Sequence, residues 1–86
     1  MTVVMKYRNR PVRFTTKGFF NPKLGYRYKI VMELDKGKDL QIKAPSFLYD
    51  RGNDFNSNEL AETVLRQSVN DLVNSDPKRN SILSIY

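Results

Sequence analysis

The chain has 86 residues, 40% of them hydrophobic, and a net charge of +6, with neither cysteine nor histidine. The missing Cys excludes disulfides and thiolate metal sites, and the missing His removes the commonest metal ligand and the commonest general base. A chain of this length makes one small domain, 1–86, near the size at which a single core just suffices.

Residues 2–8 are β-branched and aromatic-rich and predict a strand, with Val3, Met5 and Tyr7 on one side and Val4, Lys6 and Arg8 on the other. Asn9-Arg10-Pro11 is turn chemistry. Residues 12–17 alternate again, Val12, Phe14 and Thr16 sharing a face opposite Arg13, Thr15 and Lys17. Gly18 and Gly25 bracket an expected loop centred on Asn21-Pro22. The clearest strand runs over 26–34, with Tyr26, Tyr28, Ile30, Met32 and Leu34 on the inward side.

Asp35-Lys36-Gly37-Lys38 has hairpin-turn chemistry, and 39–44 is its expected return strand, carrying Leu40 and Ile42 inward and Gln41 and Lys43 outward. Residues 45–56 read as a long connection in which Phe47, Leu48 and Tyr49 are candidate anchors. A helix is expected over 58–74, capped by Asn56 with Glu59 three residues later as a capping box, and supported by a Glu62–Arg66 pair. Its stripe Ala61, Val64, Leu65, Val69, Leu72 and Val73 recurs at helical spacing, and Pro77 forbids continuation. The apolar segment 81–86 is expected as a short edge strand. These elements predict an α+β fold: an antiparallel sheet of three to five strands with one C-terminal helix packed on one face.

The first acidic residue is Glu33. Before it stand Lys6, Arg8, Arg10, Arg13, Lys17, Lys23, Arg27 and Lys29, whereas the remainder carries seven basic and nine acidic side chains. A segment charged with one sign repels itself unless an anion lies against it. Alternation along the strands puts Lys6, Arg8, Arg13, Lys17, Arg27, Lys29 and Lys43 on the parity opposite the core, so a common basic sheet face is expected, with Thr15 and Gln41 among the cations. Together with Arg10 and Lys23 these are the candidate nucleic-acid contacts. Phe19 and Phe20 in the expected loop are candidate stacking or wedge residues, one of them expected to fold back onto the core. Tyr26 and Tyr28, at inward parity, are expected in the core.

The run Gly25-Tyr26-Arg27-Tyr28-Lys29-Ile30, the Gly37-Lys38 turn, and Phe55-x-Ser57 leading to Ala61 resemble the AP2-like arm-binding N-terminal domain of tyrosine integrases over about residues 12–73. The resemblance implies a three-stranded sheet laid in the DNA major groove and backed by one helix, with contacts from Arg13, Arg27, Lys29 and Lys43 and no catalysis. The chain departs from that pattern in lacking a tryptophan and in having an extra N-terminal strand and a longer loop at 45–56.

Catalytic and cofactor motifs are not found. Asp54-Phe55-Asn56-Ser57-Asn58 opens like a calcium loop, but its sixth position is Glu59 and its twelfth Leu65, so no metal is expected. Ser–His and Cys–His nucleophile systems are impossible, and no phosphate-loop sequence occurs. No apolar run approaches a membrane span, and Met1–Lys6 lacks the order of a signal peptide, so a cytoplasmic protein without cofactors is expected. The expected function is non-enzymatic nucleic-acid binding, DNA rather than RNA, through the basic sheet face. The alternatives are a phage or mobile-element accessory or inhibitor protein that docks an acidic protein partner, and a structural or assembly protein whose edge strands pair with another copy.

Overall fold

The computed structural model describes residues 1–34, 42–50 and 53–86. Its elements are β1 (Thr2–Tyr7), β2 (Arg10–Asn21), β3 (Gly25–Leu34), α1 (Phe47–Asp50), α2 (Asn58–Ser75) and β4 (Ser81–Ile85). The strands form one antiparallel sheet in the order β3-β2-β1-β4, and α2 packs against it. The α+β architecture expected from the sequence is the one that forms.

The first hairpin turns on Arg8 and Asn9, one residue earlier than expected, with φ of 51° and 66°. Two positive φ values suit the right-handed twist of a two-residue hairpin, but a left-handed conformation costs a residue with a Cβ about 1–2 kcal/mol. The turn is held from outside: the Arg8 amide donates to Asn80 Oδ1 at 2.8 Å, and the Asn9 amide to the Arg79 carbonyl at 3.0 Å. Arg8→Gly removes the steric cost and keeps the amide. It is expected to raise stability by about 0.5–1 kcal/mol, read as a higher melting temperature. A lower one would mean that the Arg8 guanidinium, 5.4 Å from the Tyr7 ring centroid, contributes more than the strain takes away.

Residues 18–25, expected as a loop, instead continue both strands. The β2–β3 ladder runs without interruption from Val12↔Leu34 to Asn21↔Gly25, leaving only Pro22, Lys23 and Leu24 to turn. Asn21 Oδ1 accepts from the Lys23 and Leu24 amides at 2.8 and 3.1 Å, and Gly25 takes the positive φ of 83°. The β1–β2 ladder ends at Thr2↔Thr15, so beyond it β2 and β3 continue as a two-stranded ribbon, and the molecule measures 41 Å by 27 Å by 23 Å.

The core lies between the sheet and α2: Val3, Met5 and Tyr7 from β1, Val12 and Phe14 from β2, Ile30 from β3, and Ala61, Val64, Leu65 and Val69 from the helix. Tyr28, Met32, Leu34 and Ile42 pack around it. Tyr26, expected inside, is exposed, because the ribbon outruns the helix that would cover it.

Phe55 makes an isolated bridge to Tyr28 at the free edge of β3, bonded in both directions at 2.9 and 2.8 Å. That bridge corrects the helix cap. With Phe55 still held in the ladder, the chain turns one residue later, at Ser57, whose Oγ accepts from the Leu60 amide at 3.1 Å. Asn56 is therefore not the cap, and Glu59 falls one position short of a capping box. Glu62 does not pair with Arg66 among the described contacts; its Oε2 lies 3.4 Å from the Met1 amino group.

The turn expected at 35–38, and Leu40 and Gln41 of the expected return strand, lie outside the described residues. The described remainder, 42–44, belongs to no strand, and the 45–56 connection contains the short helix α1, in which Leu48 is buried. The sheet differs accordingly from the one the integrase resemblance implies. Its middle is built from β1 and β2, and the N-terminal strand is a central element rather than an addition.

At the far end of α2, Asp76 caps the helix, and Arg79 Nε donates to its Oδ2 at 2.6 Å. That hydrogen bond holds the Asp76 carboxyl below its ordinary value. Among the described residues, no helix is long and apolar enough to cross a membrane.

Candidate nucleic-acid interface

The sheet face turned away from α2 is set by register. Across it, Val4 lies beside Arg13 and Arg13 beside Glu33; Thr2 lies beside Thr15 and Thr15 beside Val31. Further along the ribbon Lys17 faces Lys29, and Phe19 faces Arg27. Lys6 stands on the same face, opposite Pro11. Five of the candidate cations, Lys6, Arg13, Lys17, Arg27 and Lys29, therefore share this surface, as alternation requires.

Lys17 and Lys29 meet directly in the ladder, and like charges directly opposite one another are destabilising. Each turns to a separate partner. Lys17 Nζ lies 3.5 Å from Glu33 Oε1, and Lys29 Nζ lies 5.3 Å from the Phe19 ring centroid in a cation–π contact. Arg27 is occupied more firmly: its Nε donates to Asp54 Oδ1 at 2.6 Å. Lys6, Arg13 and Lys29 have no carboxylate within 4.0 Å among the described residues. Asp54 was not legible as a member of this surface, because it arrives from the segment pinned by Phe55, twenty-seven residues from Arg27 along the chain.

The other candidates fall elsewhere. Arg10 closes the first hairpin at inward parity, and Lys23 sits at the ribbon tip. Arg8 is in the strained turn, and Lys43, expected on the outer face of a return strand, belongs to no strand. These two line a cleft of about 480 Å³ together with Tyr7, Tyr49 and Asp50. Gln41 is outside the described residues.

Phe19 and Phe20 are on a strand rather than in a loop. Phe19 lies under Lys29 on the basic face. Phe20 points the other way and is exposed, in an edge-on pair with Tyr26 at 6.4 Å between ring centroids. Neither folds back onto the core, which leaves Phe20, Leu24 and Tyr26 as an exposed apolar tip beside Lys23. Two things concealed this: Phe20 was expected in a loop and not on a strand, and the inward parity of Tyr26 assigns a side but not how far the helix extends over it.

Comparison of the chain with protein-family models, with curated proteins and with solved structures yields no match.

Proposed function

We propose that the protein is a non-enzymatic, cytoplasmic nucleic-acid-binding protein that grips the backbone of duplex DNA with the sheet face opposite α2. One observation carries this reading. Five cations share that face, and among the described residues only two carboxylates, Glu33 and Asp54, pair with any of them. Exposed ion pairs contribute little to folding, so Lys17 can exchange Glu33 for a phosphate at small cost. The opposed Lys17 and Lys29 repel each other in the free protein, and an anion seated between them turns that repulsion into attraction. Thr15, between Arg13 and Lys17 on the same strand, supplies a hydroxyl for phosphate or sugar.

The test is a salt titration of binding to duplex DNA, single-stranded DNA and RNA. On duplex DNA the log–log slope is about −0.9 per phosphate neutralised. The triple variant Lys6→Ala, Arg13→Ala and Lys29→Ala is expected to flatten that slope by about 2.7 and weaken binding to all sequences alike, with an unchanged melting temperature. Arg27 is left intact because its bond to Asp54 ties the 53–56 segment to β3. Undiminished binding by the triple variant would rule out this face. Weak DNA affinity together with tight stoichiometric capture of one acidic protein would replace this reading with the protein-docking one.

A further inference from the structure

Among the described residues, one edge of the sheet is left bare. β4 pairs with β1 on one side only and is the last strand in the order β3-β2-β1-β4. Thr2 and Tyr86 exchange both backbone hydrogen bonds, so the ladder reaches one residue beyond β4. In an antiparallel pair, mutually bonded positions alternate with positions whose amide and carbonyl point outward. The backbone groups of Ile85 are therefore presented to the open side. A shift in register between Val4 and Met5 leaves Leu83 as the extra residue of a bulge.

Natural edge strands are blunted by lysine, proline, inward charges or a covering loop. Among the described residues, this one has a bulge, which also blunts an edge, but none of those four. Asn80–Tyr86 is the longest uncharged run in the chain, and Leu83, Ile85 and Tyr86 are 61%, 43% and 69% exposed. The opposite edge is treated differently, since Phe55 bridges to β3 at Tyr28.

We propose that β4 pairs antiparallel with β4 of a second copy of this chain, forming a two-fold dimer through residues 82–86. Charge selects this occupant. Each copy carries +6, so two copies repel least where neither presents a charged side chain, and the bare edge is such a place. The segment also matches itself. Antiparallel pairing about Ser84 sets Leu83 opposite Ile85 and Ile82 opposite Tyr86 of the other copy, and the outward backbone groups of each Ile85 face the bulged Leu83 of the other copy. The two-fold axis stands perpendicular to the sheet, so the result is one eight-stranded sheet whose two outer faces lie on the same side. The dimer does not depend on nucleic-acid binding, but it would double any surface that the outer face provides.

Sedimentation equilibrium of the full chain over a concentration series tests this. The mass is expected to rise from the 10.1 kDa monomer toward twice that value. Raising the salt should strengthen association by screening the +6 copies from each other, the reverse of its effect on DNA binding. Leu83→Lys and Ile85→Lys, each at a largely exposed position, should hold the protein monomeric throughout the series with an unchanged circular-dichroism spectrum. Phe20→Lys at the ribbon tip serves as the control and should dimerise like the parent. A parent chain that stays monomeric at every concentration overturns the proposal. So does a dimer that survives both edge variants, or one abolished by Phe20→Lys and not by them.

Discussion

Replacing Phe14 with Ala is expected to destabilise the protein by about 3–5 kcal/mol, enough to abolish most of the cooperative unfolding transition of a domain this small. Phe14 is fully buried and sits on β2 between Val3 of β1 and Met32 of β3, beneath α2. Its ring also meets Phe47 at 5.5 Å between centroids, so it joins the sheet to the 45–56 connection as well as to the helix. Removing it opens a cavity where three elements converge, and surrounding side chains held by strand pairing cannot all collapse into it. Phe20→Ala is the matched control. Phe20 has the same residue type, the same strand and the same parity, but is 67% exposed, and its loss is expected to change stability by less than about 0.5 kcal/mol. Urea titrations of the two variants read the contrast directly. Similar midpoints would mean that the helix does not cover β2 as described.

Asn80→Ala is expected to cost about 2–3 kcal/mol although it removes no apolar contact of note. Asn80 is buried between α2 and β4, and its side chain joins two distant parts of the fold. Nδ2 donates to the Leu72 carbonyl at 2.8 Å, and Oδ1 accepts from the Arg8 amide at 2.8 Å. The two ends are not equivalent. The Leu72 carbonyl keeps two other donors, the Asp76 amide and the Ser75 hydroxyl, when Asn80 is truncated. The Arg8 amide loses its acceptor, in a turn already held at positive φ. The cost therefore arises mainly at the first hairpin, seventy-two residues away in sequence. Ser75→Ala, which deletes another donor to the same Leu72 carbonyl from an exposed position, should be nearly neutral. Hydrogen exchange locates the effect: in Asn80→Ala, amides near the 7–10 turn should lose protection before those of α2 do. Uniform loss of protection would mean that Asn80 acts through the helix end instead.

Much of the scaffold was legible because its signals are local. Period-two alternation placed Val3, Met5, Tyr7, Val12 and Phe14 on the buried side before any partner was known. Helical spacing put Ala61, Val64, Leu65 and Val69 on the stripe that meets them, and the helix boundaries agreed to within a residue at Ser75. The apolar segment at 81–86 did become an edge strand. The parity of Lys6, Arg13, Lys17, Arg27 and Lys29 carried them to a common face for the same reason.

Tertiary structure alone decided the rest. Parity could not say where along β2 and β3 the helix stops covering the sheet, so Tyr26 read as an inward residue; it is exposed, and Phe20, expected in a loop, joins it at the tip. Turn chemistry marked Gly18 and Gly25, but cross-strand pairing reached through to Asn21 and shortened the loop to three residues. The partner of Arg27 and the clamp on Arg8 both come from segments far away in sequence. Alternation and helical periodicity are properties of a single segment, set by backbone geometry that every residue shares. The extent of coverage, the ordering of strands and the pairing of a charge depend on which distant segments arrive, and that is settled only when the whole core closes.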